Sequence, residues 1–244
     1  MKTCIAVWNI LKKDMTAYYL KPPNISWGII FPIAWTLMFY IRSASPPDIR
    51  SLLPGVMVLS VLFGTTSMLA VTITFEQRGR SFDRLLLAPI SLFTLILAKT
   101  AGAAVFGMVN AAVPLLLAAP FADLRGINWL LVALGAGLTA LAATFMGLFV
   151  AVSVREIFEA QTLSNFFRFP MIFLCGLFFP VNGLPSILRP LAYLLPPTYG
   201  TDIIRGAIGS DTLLPLWLSA CILLAMTAAL LRFSLARAQK RWIR

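Results

Sequence analysis

The sequence predicts an all-α integral membrane protein, a single domain over residues 1–244, with six transmembrane helices. The first observation is composition: 59% of the 244 residues are hydrophobic, 12% are charged, and the mean hydropathy is +0.88. The second is a set of six long runs without a charged residue. Because so few charges could not cover such an apolar core in water, a soluble enzyme, a disordered chain and a nucleic-acid-binding domain are excluded.

Residues 1–21 are the first element, predicted as an amphipathic helix in the inner membrane interface. Apolar side chains recur there at helical spacing, at Ile5, Trp8, Leu11, Met15 and Tyr18. Two prolines at 22–23 end this helix. A disordered basic tail is the alternative interpretation.

Six spans follow from the positions of the charged residues. A helix needs about 20 nearly uncharged residues to cross a bilayer core. Such runs lie between Lys21 and Arg42, Arg50 and Glu76, Lys99 and Asp123, Arg125 and Arg155, Arg168 and Arg189, and Asp211 and Arg232. The third span is expected to begin before Lys99, whose ammonium group would snorkel back to the interface. Most of the 20 lysines and arginines fall on one side of this arrangement, which predicts that both termini are cytoplasmic.

The fourth span carries a small residue at every fourth position, namely Gly135, Thr139, Ala143, Gly147 and Ala151. Such a stripe allows another helix to approach closely. We therefore expect a packing role for it.

The cytoplasmic loop at residues 75–91 is predicted to contain a short amphipathic helix. Its charges alternate with an apolar side formed by Phe82 and two leucines, and Pro89 ends it. This pattern suits docking into a groove on a soluble partner. A solvated charged loop is the alternative.

The segment 168–205 is interrupted by prolines at 170, 180, 185, 190, 196 and 197. An apolar segment so broken cannot cross the membrane as one straight helix. We predict a fifth span followed by a re-entrant element over residues 180–205 on the outer side, the alternative being a hydrophobic loop on the surface. Arg168 is expected in the cytoplasmic third of the fifth span, where it would snorkel or pair.

Catalytic and metal-binding residues are not predicted. The chain has no histidine, and its nine acids all flank the uncharged runs. No GxxxxGK[ST] phosphate-binding loop is present. If the protein moves a solute, its energy is therefore expected to come from another chain, although an ion-coupled secondary transporter and a membrane-embedded lipid-modifying enzyme remain as alternatives.

Two stretches resemble the transmembrane subunit of type-2 ABC exporters. One is FEQRGRSFDRLLLAPIS followed by LILAK. The other matches the family signature at Pro170, Met171, Gly176, Phe179, Pro180, Leu184, Pro185, Pro196, Thr198, Tyr199 and Arg205. Pro197 departs from the pattern, since the family usually has leucine there.

The resemblance implies a permease of the bacterial inner membrane that is surrounded by membrane lipids and has no nucleic-acid partner. It implies a dimer with a second copy or a paralogous permease, and a separate ATPase subunit that binds ATP and magnesium, so that no cofactor is expected in this chain. The uncharged spans favour an amphiphilic cargo such as a drug, a lipid, a glycolipid or a polysaccharide.

Residue roles follow as hypotheses. Contact with the ATPase subunit is assigned to Glu76, Gln77, Arg78, Phe82, Asp83 and Arg84. The family signature and outer gate comprise Pro170, Gly176, Phe178, Phe179, Pro180, Asn182, Pro185, Tyr199 and Arg205. Three small polar residues in the second span, Thr65, Thr66 and Ser67, are candidates for lining the path that the cargo takes through the membrane. Such hydroxyls commonly bond to their own helix backbone instead.

Overall fold

The structure, a computed structural model, describes residues 2–42, 48–177 and 179–242 and is helical throughout, with no strand in these ranges. The helices are α1 (Lys2–Asp14), α2 (Pro22–Arg42), α3 (Ile49–Arg78), α4 (Ser81–Leu86), α5 (Leu92–Ala118), α6 (Trp129–Ala151), α7 (Ile157–Leu174), α8 (Arg189–Tyr193), α9 (Pro196–Ala207) and α10 (Leu216–Trp242). A π-helical turn over Met15–Tyr19 extends α1, and a 3-10 turn covers Val181–Gly183. The all-α prediction is confirmed.

Helix α3 is the centre of the bundle. It contacts α2, α5, α6, α7 and α9. Nearly every residue from 53 to 74 is buried, which explains why its sequence is apolar on all sides instead of along one stripe. At about 1.5 Å per residue, its 30 residues extend about 45 Å.

The small-residue stripe of α6 packs as predicted. Gly135 lies against Ile203 and Ile204 of α9, and a Cβ at Gly147 would lie only 2.5 Å from the carbonyl oxygen of Thr66 in α3. Two helices therefore approach α6 closely along one face.

Among the described residues, four helices are long and apolar enough to cross a membrane by length and composition, namely α3, α5, α6 and α10. Helix α5 begins before Lys99, as predicted. Helices α2 and α7 belong to the same bundle but are not among these four. The structure thus supports a multi-pass helical membrane protein.

The predicted position of the fifth span is wrong. The uncharged run ends at Arg189, whereas α7 begins at Ile157 and ends at Leu174. The helix starts early because the Glu159 carboxylate accepts hydrogen bonds from the backbone N–H groups of Arg155 and Glu156. It ends early because Gly176 adopts φ +71°. Arg168 consequently lies past the middle of α7.

The bundle has two ends that differ in composition. We call the end that contains Lys13, Asp14, Glu76 and Lys99, together with α4, the charged end. The opposite end, formed by residues 175–177 and 179–195 and the first turn of α3, is the proline end. The length of α3 separates the two.

Candidate functional site

Four charged side chains meet in a buried ion cluster at the charged end. The Lys13 Nζ lies 2.5 Å from Glu76 Oε1 and 3.1 Å from Asp14 Oδ1. The Lys99 Nζ lies 3.0 Å from Asp14 Oδ2 and 2.6 Å from Glu76 Oε2. Each cation therefore contacts both carboxylates, and the cluster is electrically balanced.

The ion cluster joins three elements that are distant in sequence. Lys13 and Asp14 end α1, Glu76 lies in the last turn of α3, and Lys99 lies in α5. The side chains of Asp14 and Glu76 are fully buried and that of Lys99 is 1% exposed, whereas Lys13 is 41% exposed. Burial opposes the charge on Lys13, but Glu76 and Asp14 outweigh it and raise the pKa of Lys13. Removal of one partner would leave an uncompensated buried charge.

No local sequence pattern predicts this cluster, and the snorkelling predicted for Lys99 is not observed. The Lys99 side chain is buried, because two carboxylates contact it inside the bundle. Asp14 and Glu76, two of the acids that flank the uncharged runs in sequence, are turned inward in the structure. A single lysine eight residues into an otherwise apolar helix was the signal that could have indicated a buried acidic partner.

The predicted ATPase-contact residues divide into a buried and an exposed group. Glu76 belongs to the ion cluster, and the buried Phe82 ring packs edge-on against Trp242 with 4.8 Å between centroids. Gln77 is half-buried. The exposed members are Arg78, which pairs with Glu156 at 2.9 Å, and Asp83 and Arg84 of α4. In this conformation only the exposed group offers side chains to another protein.

The connection between α3 and α4 contains a strained residue. Arg80, the residue before α4, has φ +54°, in the left-handed region. A non-glycine residue held there costs about 1–2 kcal/mol. The tight turn brings α4 against α3 and α5, and the Ser81 hydroxyl donates to the Glu76 carbonyl at 3.2 Å.

At the proline end, side chains bond to backbone carbonyls that lack helical partners. Arg205 donates to the carbonyl of Gly176, and the Tyr199 hydroxyl donates to the Tyr193 carbonyl at 2.7 Å. The family-signature residues Gly176 and Arg205 are thus brought together. Such bonds satisfy polar groups that broken helices leave open.

The remaining described candidates for the outer gate are exposed side chains that lie in two different parts of the chain. Pro170 lies exposed within α7, and Phe179, Pro180, Asn182 and Pro185 are exposed at the proline end. The Asn182 carbonyl accepts a bond of 2.7 Å from Arg189. Phe178 lies outside the described residues.

Two charged residues without a predicted role form several hydrogen bonds near this end. Arg50 donates to the carbonyls of Asp123, Arg125 and Ile208 at 3.1, 3.2 and 2.9 Å. The buried carboxylate of Asp202 accepts from the backbone N–H of Leu213 and Leu214 and from the Ser219 hydroxyl. No local pattern marks either residue, because their partners lie in other loops.

The three path candidates differ in their contacts. The Thr65 hydroxyl donates to the Val61 carbonyl of its own helix at 2.8 Å. The Thr66 hydroxyl is buried without a hydrogen-bond partner among the described residues. Ser67 accepts a hydrogen bond from Arg168, a buried residue of α7. Among the three, Ser67 is thus the one that meets a charged group.

Comparison with known proteins gives one family. Residues 5–208 match the family model described as ABC-2 type transporter. The chain is 24% identical to the inner membrane transport permease YadH of Escherichia coli K12 over 148 aligned residues. This alignment covers 61% of this chain and 58% of YadH. It is 26% identical to nodulation protein J of Sinorhizobium fredii over 165 aligned residues. This alignment covers 66% of this chain and 62% of that protein.

The match to the family model extends from α1 through the proline-broken segment and includes both ends of the bundle. The apolar helices agree with a multi-pass protein of the inner membrane. The chain therefore belongs to the ABC-2 type transporter family, as one of its membrane-embedded permeases.

Proposed function

We propose that the chain is the transmembrane subunit of an ATP-driven exporter that works as a dimer of permeases with separate ATPase subunits. Six helices would cross the inner membrane, with α2 and α7 added to the four most apolar ones. The charged end would be cytoplasmic and the proline end would face outward. ATP and magnesium would be bound by the ATPase subunits.

The ion cluster is the observation that carries this proposal. It lies at the end of α3 that leads into α4, whose Asp83 and Arg84 are exposed, and it fixes that end of α3 to α1 and α5. A force applied to α4 would reach α3 through the short Gly79–Arg80 connection. Because α3 also contacts α7 and α9, its movement would be transmitted along the bundle toward the proline end.

This arrangement assigns two roles to the predicted coupling residues. Arg78, Asp83 and Arg84 would contact the ATPase subunit, with Gln77 at the edge of that surface. Glu76 and Phe82 would hold α4 and α3 to the bundle from inside. The exposed Phe179 and Asn182 would belong to the outer gate. An amphiphilic cargo would pass between the two permeases.

The experiment uses the permease reconstituted with an ATPase subunit that is encoded beside it. We expect the double substitution D83A/R84A to leave the permease folded but to lower permease-dependent ATP hydrolysis severalfold. Substitution R232A, at an exposed arginine of α10, is the matched control and should leave hydrolysis unchanged.

Two results would contradict the proposal. One is equal coupling in D83A/R84A and the control. The other is transport that follows a proton or sodium gradient and persists without an ATPase subunit, which would indicate the ion-coupled alternative.

A further inference from the structure

Arg168 is a buried cation without an acidic partner in the described part of the chain. It is 2% exposed, and none of the ion pairs of the structure includes it. By contrast, each charge in the ion cluster has an opposite charge within 3.1 Å. An isolated buried guanidinium is costly, so its retention inside an apolar bundle indicates a function.

The contacts of Arg168 leave much of its hydrogen-bonding capacity unused. Its guanidinium lies 4.2 Å from the centroid of the Phe63 ring and donates to Ser67 Oγ. Its Nε is buried and has no hydrogen-bond partner among the described residues. A guanidinium has five N–H donors in a planar fork that matches carboxylate and phosphate oxygens.

The surroundings of Arg168 combine apolar and polar surfaces. Phe63 covers one side of the guanidinium, and Phe31 of α2 packs on Phe63 with 4.2 Å between the ring centroids. Ser67 supplies a hydroxyl, and it was already a candidate for lining the path. The opposite face of α7 carries Phe166 and Phe169, which are 69% and 47% exposed. The site therefore offers one cation on an aromatic face, while the exposed aromatic surface of α7 lies on the other side of that helix.

Arg168 lies at a distance from the charged end of the bundle. Its partner Ser67 lies nine residues before Glu76 on α3, which is about 14 Å along the helix. Arg168 thus lies between the charged end and the proline end. Helix α7 packs mainly against α3 and makes fewer contacts with α6. Separation of α7 from α3 would open the guanidinium to the proposed path.

We propose that Arg168 is the site that binds the anionic headgroup, a phosphate or a carboxylate, of an amphiphilic cargo. The apolar part of the cargo would lie along the aromatic surface of Phe63 and Phe31. This inference rests on the proposed function and adds a cargo class to it.

The test uses photolabelling of the permease–ATPase complex in neutral maltoside micelles. The probe is a dodecyl phosphate with a diazirine next to its headgroup, compared with the trimethylammonium and alcohol probes of equal chain length. We expect the phosphate probe to label peptides around Ser67 and Arg168. Labelling should fall about tenfold or more in R168Q, since a charge-assisted hydrogen bond contributes about 1.5–3 kcal/mol.

Two variants control for folding and for general attraction of anions. R168K retains the charge and should keep more label than R168Q, while R232Q removes an exposed arginine and should keep all of it. Equal melting temperatures of the variants show that the bundle is intact. Labelling that is indifferent to probe charge, or unaffected by R168Q, would overturn the proposal.

A bound membrane lipid would present the same chemistry as a cargo, and ATP hydrolysis distinguishes the two. Irradiation during ATP turnover should give less labelling by a cargo-like probe, because the site opens and releases the probe before it is crosslinked. Labelling that turnover leaves unchanged and that excess phosphatidylglycerol, added before irradiation, prevents would overturn the cargo assignment. Normal ATPase coupling together with charge-indifferent labelling would refute only the Arg168 site, whereas absent coupling would refute the proposed function.

Discussion

The charged end and the proline end are stabilised by different chemistry. At the charged end, lysine ammonium groups contact carboxylates from other helices at 2.5–3.0 Å. At the proline end, arginines bind backbone carbonyls, as Arg50 and Arg205 do. The first arrangement joins intact helices to one another, and the second compensates for helices that have been interrupted.

This difference indicates how amino-acid substitutions at each end affect the stability of the protein. An ion cluster depends on charge balance, so loss of one member leaves its partners buried and unpaired. A carbonyl that loses an arginine donor remains neutral and can accept a hydrogen bond from water. We therefore expect single substitutions to be more destabilising at the charged end.

The largest effect is expected for E76A at the charged end. It leaves Lys99 with one carboxylate partner and should lower the free energy of unfolding by about 3–5 kcal/mol. Denaturant unfolding in micelles measures it. The double substitution E76A/K99A removes one charge of each sign and should recover part of the loss. A double variant that is less stable by the sum of both single losses would contradict the interpretation of a balanced cluster.

A smaller effect is expected for D202N near the proline end. The asparagine amide cannot accept from all three donors of Leu213, Leu214 and Ser219, so we expect a loss of about 1–3 kcal/mol. The same unfolding measurement applies. S219A, which removes one of the donors, serves as the comparison and should cost less. A loss for D202N as large as that for E76A would remove the distinction between the two ends.

R205A should have a modest effect on stability, about 1 kcal/mol, because it removes the hydrogen bond to the Gly176 carbonyl. R205K tests whether an amine suffices as the donor and should lie between R205A and the unmodified protein. Thermal unfolding followed by tryptophan fluorescence measures both. If R205A unfolded as readily as E76A, the contact with Gly176 would be more than a helix-end cap.

The smallest effect, and the one of opposite sign, is expected for R80G. Glycine adopts φ +54° without a Cβ clash, so the substitution should stabilise the folded protein by up to about 1 kcal/mol. The gain is limited because glycine also increases the freedom of the unfolded chain. R84G inside α4 is the control and should be destabilising. A loss of stability in R80G would show that the Arg80 side chain makes contributions beyond the backbone turn.

Local features of the sequence were sufficient for the element order. The uncharged runs located the main helices, and the stripe of Gly135 and Gly147 predicted close helix packing. The prolines of 180–197 predicted the broken segment. These signals are local, since helix length, glycine and proline act on neighbouring residues. The boundaries of α7 were predicted wrongly from the positions of charged residues. The helix begins where the Glu159 carboxylate accepts backbone hydrogen bonds and ends before Gly176, which has a left-handed backbone conformation.

The sequence by itself determined that the protein is a helical membrane bundle with a charged loop and a proline-broken segment. Only the tertiary structure decided that Lys99 meets Asp14 and Glu76, and that Arg168 lies on Phe63 and Ser67 without an acid. The reason is that an apolar run defines a helix but not the helix that faces it. In a bundle with little water, that choice of neighbour decides which charges are neutralised and which one is left to bind something else.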